Sequence, residues 1–238
     1  EKLARLPACI DLISWKESLS PQSISLVFST AYAGNPASMF GHTFLKFNRY
    51  SPSDKSKDML NYTASFGAIY NPNEWTLTYI LKGIFGKYHG MYSLSPFYTK
   101  ITEYVHYDSR DLWDYELSLT PAQMDSMINH LWELYGSAYF AYYFFDENCS
   151  YFISRLIDLV VPKKWPLPYK SFILPTDMIH RFAGDHSLLK KITYRPGLWR
   201  LFLHEKNSLN EKDWYAFKLL AQGKEAPKAQ LPIAALST

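Results

Sequence analysis

The stretch "FFDENCSYFISRLIDL", residues 144–159, decides how the chain is read. Cys149, Phe152, Ile153, Leu156, Ile157 and Val160 recur at steps of three and one, which makes a single helical stripe, and Asn148 is a favourable N-cap. The stretch predicts a helix that Cys149 opens, with the thiol on its buried side. Two readings of that thiol follow. At a helix start, the dipole and free backbone N–H groups favour thiolate and supply half of an oxyanion hole. In a core, a free cysteine is a small packing group, and this residue type is among the most buried.

Outward from this helix, the residues before it alternate with strand period. "SISLVFST" (23–30) and "HTFLKFNR" (42–49) read as two adjacent strands joined by a Gly-Asn-Pro loop. "MLNYTASFG" (59–67) sets Leu60, Tyr62, Ala64 and Phe66 against Asn61, Thr63 and Ser65, so one face is core and the other carries small polar groups. A short helix is expected within 71–86, with Leu77, Ile80, Leu81 and Ile84 on one side and an exit turn at Gly83 and Gly86. "RDLWDYELSLT" (110–120) is another strand. Thr120, Pro121 and Gln123 then spell a capping box with proline at the first helical position. After the Cys149 helix, residues 161–175 form a proline-rich ordered loop, followed by a strand in "LKKITYRP" and a final amphipathic stretch around "DWYAFKLLAQG".

The 238 residues, 47% of them hydrophobic, suffice for one large core. Residues 1–225 read as a single domain with an N-terminal helix and a C-terminal helical extension, and 226–238 as a tail or linker. The formal charge of +3 is spread along the chain, and no nucleic-acid module or zinc-ligand spacing appears, so nucleic acid, metal and cofactor are not expected. An aromatic content of 17% suits a large core, carbohydrate stacking or a lipid–water interface. No apolar stretch approaches the roughly 20 residues that span a bilayer, and the first residue, Glu1, suggests processing or trimming. Cys9 and Cys149 are either paired or free, and a nucleophilic Cys149 excludes the pair.

A nucleophilic thiol needs a base. Of seven histidines, His42 alone begins a sheet strand after a glycine-containing loop, a position from which a ring can meet the end of a helix packed on that sheet. A third group holding the imidazole is sought on the polar face of the next strand, with Asn61 preferred to Thr63 or Ser65. Phe40 and Phe44 around His42, and Phe145 and Asn148 beside Cys149, are candidates for substrate contact. Lys82 suits a phosphate or lipid headgroup, or is simply a solvated helix-end lysine.

A strand histidine followed by a later Asn-Cys that opens a helix resembles circularly permuted papain-like enzymes, in which the NlpC order is reversed. The lecithin:retinol acyltransferase group is the broad analogy. "NPASMFGHTFLKF", "LNYTASFGA", "YILKGIFGKYHGMYSLSPFY", "RDLWDYELSLT" and "YYFFDENCSYFI" together resemble the periplasmic domain of the bacterial lipoprotein N-acylation family Lnb, over roughly residues 20–160 and less distinctly to about 200. The resemblance implies an α+β fold with a mostly antiparallel sheet, in permuted papain-like order, in the bacterial periplasm or at the outer membrane. It also implies acyl transfer through a Cys149 thioester, with His42 as base, onto a lipoprotein N-terminus or related amine. The expected partner is a lipid or lipoprotein, with a membrane surface as a further candidate. The alternatives are a cysteine hydrolase of peptidoglycan peptides or lipid esters using the same dyad, and a non-catalytic binding domain.

Overall fold

The computed structural model describes residues 10–34, 38–51, 54–161, 174–184 and 187–224. Cys9, most of the proline-rich loop and the tail lie outside the described residues. Among the described residues, seven antiparallel strands form one sheet: β1 (Ser23–Ser29), β2 (His42–Asn48), β3 (Tyr62–Ile69), β4 (Tyr88–Pro96), β5 (Leu112–Leu117), β6 (Phe140–Tyr142) and β7 (Leu189–Arg195). Their order is β6-β4-β3-β2-β1-β5-β7. The helices are α1 (Ile10–Leu19), α2 (Lys55–Asp58), α3 (Thr76–Ile84), α4 (Phe97–Lys100), α5 (Pro121–Leu134), α6 (Cys149–Val160), α7 (Pro175–Ala183), α8 (Leu198–Ser208) and α9 (Glu211–Ala221). A π-helical segment, Ile101–Tyr107, continues α4.

The local signals of α5 and α6 act as their sequences indicate. Thr120 Oγ1 accepts from the Gln123 N–H and Gln123 Oε1 accepts from the Thr120 N–H, so two free N–H groups at the start of α5 are satisfied reciprocally. Asn148 Oδ1 accepts from the N–H groups of Ser150 and Tyr151, which starts α6 at Cys149. By contrast, Tyr88–Pro96, to which the sequence reading assigns no element, is a strand. Tyr88, Gly90 and Tyr92 are buried in alternation along it, and glycine at one of those positions hides the period.

Strand alternation divides the interior into two layers. On one face, Ile24, Leu26, Leu45, Phe47, Ala64 and Phe66 pack with Phe152, Ile153 and Leu156 of α6. On the other, Val27, Phe44 and Leu112 pack with Phe97, Ile101, Tyr104 and Val105. That second layer also holds Lys46, which is fully buried and neutralised by Asp58 and Asp114, while Arg195 of β7 reaches Asp58 at 3.0 Å.

Candidate active site

Cys149 is a free thiol, 3% exposed, on the first turn of α6 where that helix meets β2. Its Sγ lies 4.0 Å from Thr43 Oγ1 and 3.9 Å from Ser150 Oγ, and those two hydroxyls are 3.0 Å apart. The Thr43 backbone N–H also favours the thiolate form, and with the Thr43 hydroxyl at 4.0 Å the thiol sits against the residue that follows His42. This contact is available because β3 pairs with β2 only from Phe44 onward, which leaves the first peptides of β2 free of a partner on that side.

Burial pushes the Cys149 thiol above its ordinary range, and the hydrogen bonds from Thr43 and Ser150 only partly offset it. Burial thus opposes the thiolate-favouring pull of the helix start. The N–H groups of Ser150 and Tyr151 are taken by the Asn148 cap, and the Cys149 N–H is directed at the buried Tyr142 hydroxyl. Asn148 thus works as a cap, with Nδ2 donating to Phe144 O at 3.3 Å.

His42 starts β2 and keeps part of its surface exposed. Its side chain leaves on the face of Phe44, opposite the face of Thr43 and α6. The ring lies 6.1 Å from Phe44 and 6.0 Å from Tyr104, and no hydrogen bond joins it to Cys149 among the described residues. Burial lowers the imidazole well below its ordinary value, with Lys100 and Arg110 adding to the effect. The Tyr104 phenol is pushed well up, mainly by burial. Arg110 braces this end of the sheet: its Nε donates to Thr30 O at 2.6 Å and its guanidinium lies 4.6 Å from the Tyr104 ring. Thr43, Tyr104, Ser150 and Arg110 carry no sequence signal of their own beyond adjacency to His42 and Cys149.

The other expected contacts divide. Phe40 and Phe145 meet edge to face at 5.6 Å, which joins the loop before His42 to the loop before Cys149. Phe44 is fully buried core. Lys82 pairs with Glu74, which also accepts from the Tyr88 hydroxyl. Asn61 is not brought to His42. It precedes Tyr62, whose partner is Phe47, and so lies at the opposite end of β2, about 20 Å along the strand. Its amide is committed there: Oδ1 accepts from Tyr50 N at 2.9 Å, and Nδ2 donates to Tyr50 O and Asp58 Oδ1 at 3.1 and 3.0 Å.

Fold and site together define an α+β domain that holds a free thiol where a helix starts against an antiparallel sheet. The chain belongs to the Lnb N-terminal periplasmic domain family, whose model matches residues 11–183 and so includes both His42 and Cys149. This membership makes it a periplasmic envelope domain linked to lipoprotein processing. No curated protein and no solved structure matches the chain. No described helix is long and apolar enough to cross a membrane.

Proposed function

We propose that this domain is a cysteine acyltransferase that moves a fatty acyl chain from a lipid ester to an amine, with Cys149 as nucleophile and His42 as base. The observation that carries the reading is the free thiol on the first turn of α6, held against the residue that follows His42. Burial keeps the thiol protonated and the imidazole neutral, so the resting pair is uncharged and proton transfer accompanies attack. Because the resting ring lies on the Phe44 face, substrate binding has to bring it round the open start of β2 to the sulfur; the Cys149 Sγ–H proton then passes to the ring as the S–C bond forms, and returns to the leaving alcohol as the ester C–O bond breaks. An amine then attacks the thioester, the C–S bond breaks, and the sulfur regains a proton through His42. An acyl oxygen that takes the place of the Tyr142 hydroxyl before the Cys149 N–H would receive that donor as the oxyanion develops.

Ser29 takes the positioning role first sought in Asn61. It pairs directly with His42 across β1 and β2, its side chain shares the His42 face, and its hydroxyl is buried without a hydrogen-bond partner. At rest the ring makes no bond to it; an N–H donated to Ser29 Oγ in the reactive arrangement would leave the other nitrogen free to take the thiol proton.

Intact-protein mass spectrometry after incubation with membrane lipids tests the reading. An acyl adduct is expected on wild type, lost with Cys149→Ala and released by an added amine as an amide. Release only as free fatty acid would make water the acceptor and favour a hydrolase. A second reading, a binding domain with an inert thiol, draws on the 3% exposure of Cys149. It would prevail if no adduct formed with any lipid ester.

A further inference from the structure

Helix α3 is mounted inside out. A surface helix ordinarily turns its apolar stripe to the core. In α3, the side that meets the protein carries Tyr79 and Gly83, while Leu77, Leu81 and Ile84, spaced i, i+4, i+7, point to solvent. Leu77 is 48% and Leu81 46% exposed, and Trp75 and Phe85, just outside the two helix ends, are 71% and 64% exposed. The orientation is locked by fit. A Cβ on Gly83 would lie 2.3 Å from the Phe144 ring, Phe144 N donates to Gly83 O at 3.0 Å, and the Tyr79 and Phe144 rings are 5.1 Å apart. Rotating the leucines inward would drive them into Phe144, so the outward stripe is built in.

The helix sits at the reactive end of the sheet. It links the end of β3 to the start of β4, and because β3 runs antiparallel to β2, that is the end at which β2 begins with His42. Phe144, which it grips, belongs to the loop that leads into Cys149. Along the helix segment itself the charge balance is slightly basic, and the loop that packs on Gly83 carries Asp146 and Glu147. From Ile69 to Tyr88 the only carboxylate is Glu74, already taken by Lys82 and the Tyr88 hydroxyl, while Lys87 has no ion-pair partner among the described residues.

We infer that the outer face of α3, with Trp75 and Phe85, is a docking surface for a phospholipid bilayer, lying in the interface plane with the leucine stripe and the aromatic rings inserted among the acyl chains. The inference rests on the proposed reaction for its purpose, since an acyl ester has to leave a bilayer to reach Cys149. The site then takes its acyl chain from the membrane at the point where the domain touches it.

Flotation of the whole chain with vesicles of phosphatidylcholine, alone or with phosphatidylglycerol, tests the surface independently of chemistry. Wild type is expected to float, more strongly with the anionic lipid. The Leu77→Glu/Leu81→Glu variant, changed only at exposed positions, should lose at least ten-fold in bound fraction with an unchanged circular dichroism spectrum. That variant should still form the Cys149 adduct with a short-chain, water-soluble ester while losing acylation from vesicles. No flotation of wild type, or a dimer without lipid that the double variant abolishes, would overturn the docking surface and leave the Cys149 chemistry standing. Flotation without any Cys149 adduct would remove the acyltransferase reading and leave the surface.

Discussion

The Thr43 and Ser150 hydroxyls lie 3.0 Å apart, both fully buried, at the sulfur of Cys149. This contact fastens the first turn of α6 to the first residues of β2, and it sets the polarity that the thiol meets. Thr43→Val keeps the shape and removes the hydroxyl, leaving Ser150 without that partner, at a cost of about 1–3 kcal/mol in stability. It should also raise the thiol further, because a hydrogen bond that favours thiolate is lost. Iodoacetamide labelling is expected to be slow at neutral pH in wild type and to shift to still higher pH in the variant. An unshifted labelling profile would separate Thr43 from the thiol.

The pH dependence of stability has a defined sign at His42. Its folded value lies well below the ordinary 6.5, so the unfolded chain binds the proton first as pH falls. The neutral ring's contribution is complete above about 6.5 and is lost as the pH drops from there toward the folded value. His42→Gln should therefore lose less stability than wild type between pH of about 7.5 and 5, read by urea unfolding at each. Equal losses in both proteins would mean that the imidazole is not held neutral.

Ser29→Ala is expected to slow Cys149 acylation roughly ten-fold by removing the acceptor that the His42 ring would take in the reactive arrangement, with Ser29→Thr restoring the rate. The acidic limb of the pH–rate profile should move with alanine and return with threonine. A rate loss with an unmoved limb would make Ser29 a packing residue only.

Asn61→Ala leaves Tyr50 and Asp58 without the amide that joins them, beside the buried Lys46 charge. The expected cost is about 2–4 kcal/mol, seen as a lower denaturation midpoint. Thiol labelling of the folded protein should not change. A normal midpoint with an altered labelling rate would instead return Asn61 to the site.

What the sequence determined by itself was local. The capping box at Thr120–Gln123, the Asn148 cap and the periodicity of 149–160 act within a turn or two, where propensity and short hydrogen bonds suffice, and α5 and α6 begin where those signals stand. Alternation likewise marked β1, β2, β3 and β5. Period two shows that His42 and Thr43 face opposite ways, but only sheet order and the landing of α6 decide that Thr43 lies at the sulfur while His42 turns toward Tyr104. The polar face of 59–67 suggested Asn61, yet antiparallel register carries it to the far end of β2. The stripe of α3 was legible as a stripe, and its outward direction was not, because the fit of Gly83 against Phe144 is made between segments distant in the chain. The protonation of Cys149 and His42 belongs to the same class: dipole and neighbours can be read along the chain, whereas burial, the largest cause for both, exists only once the layers close.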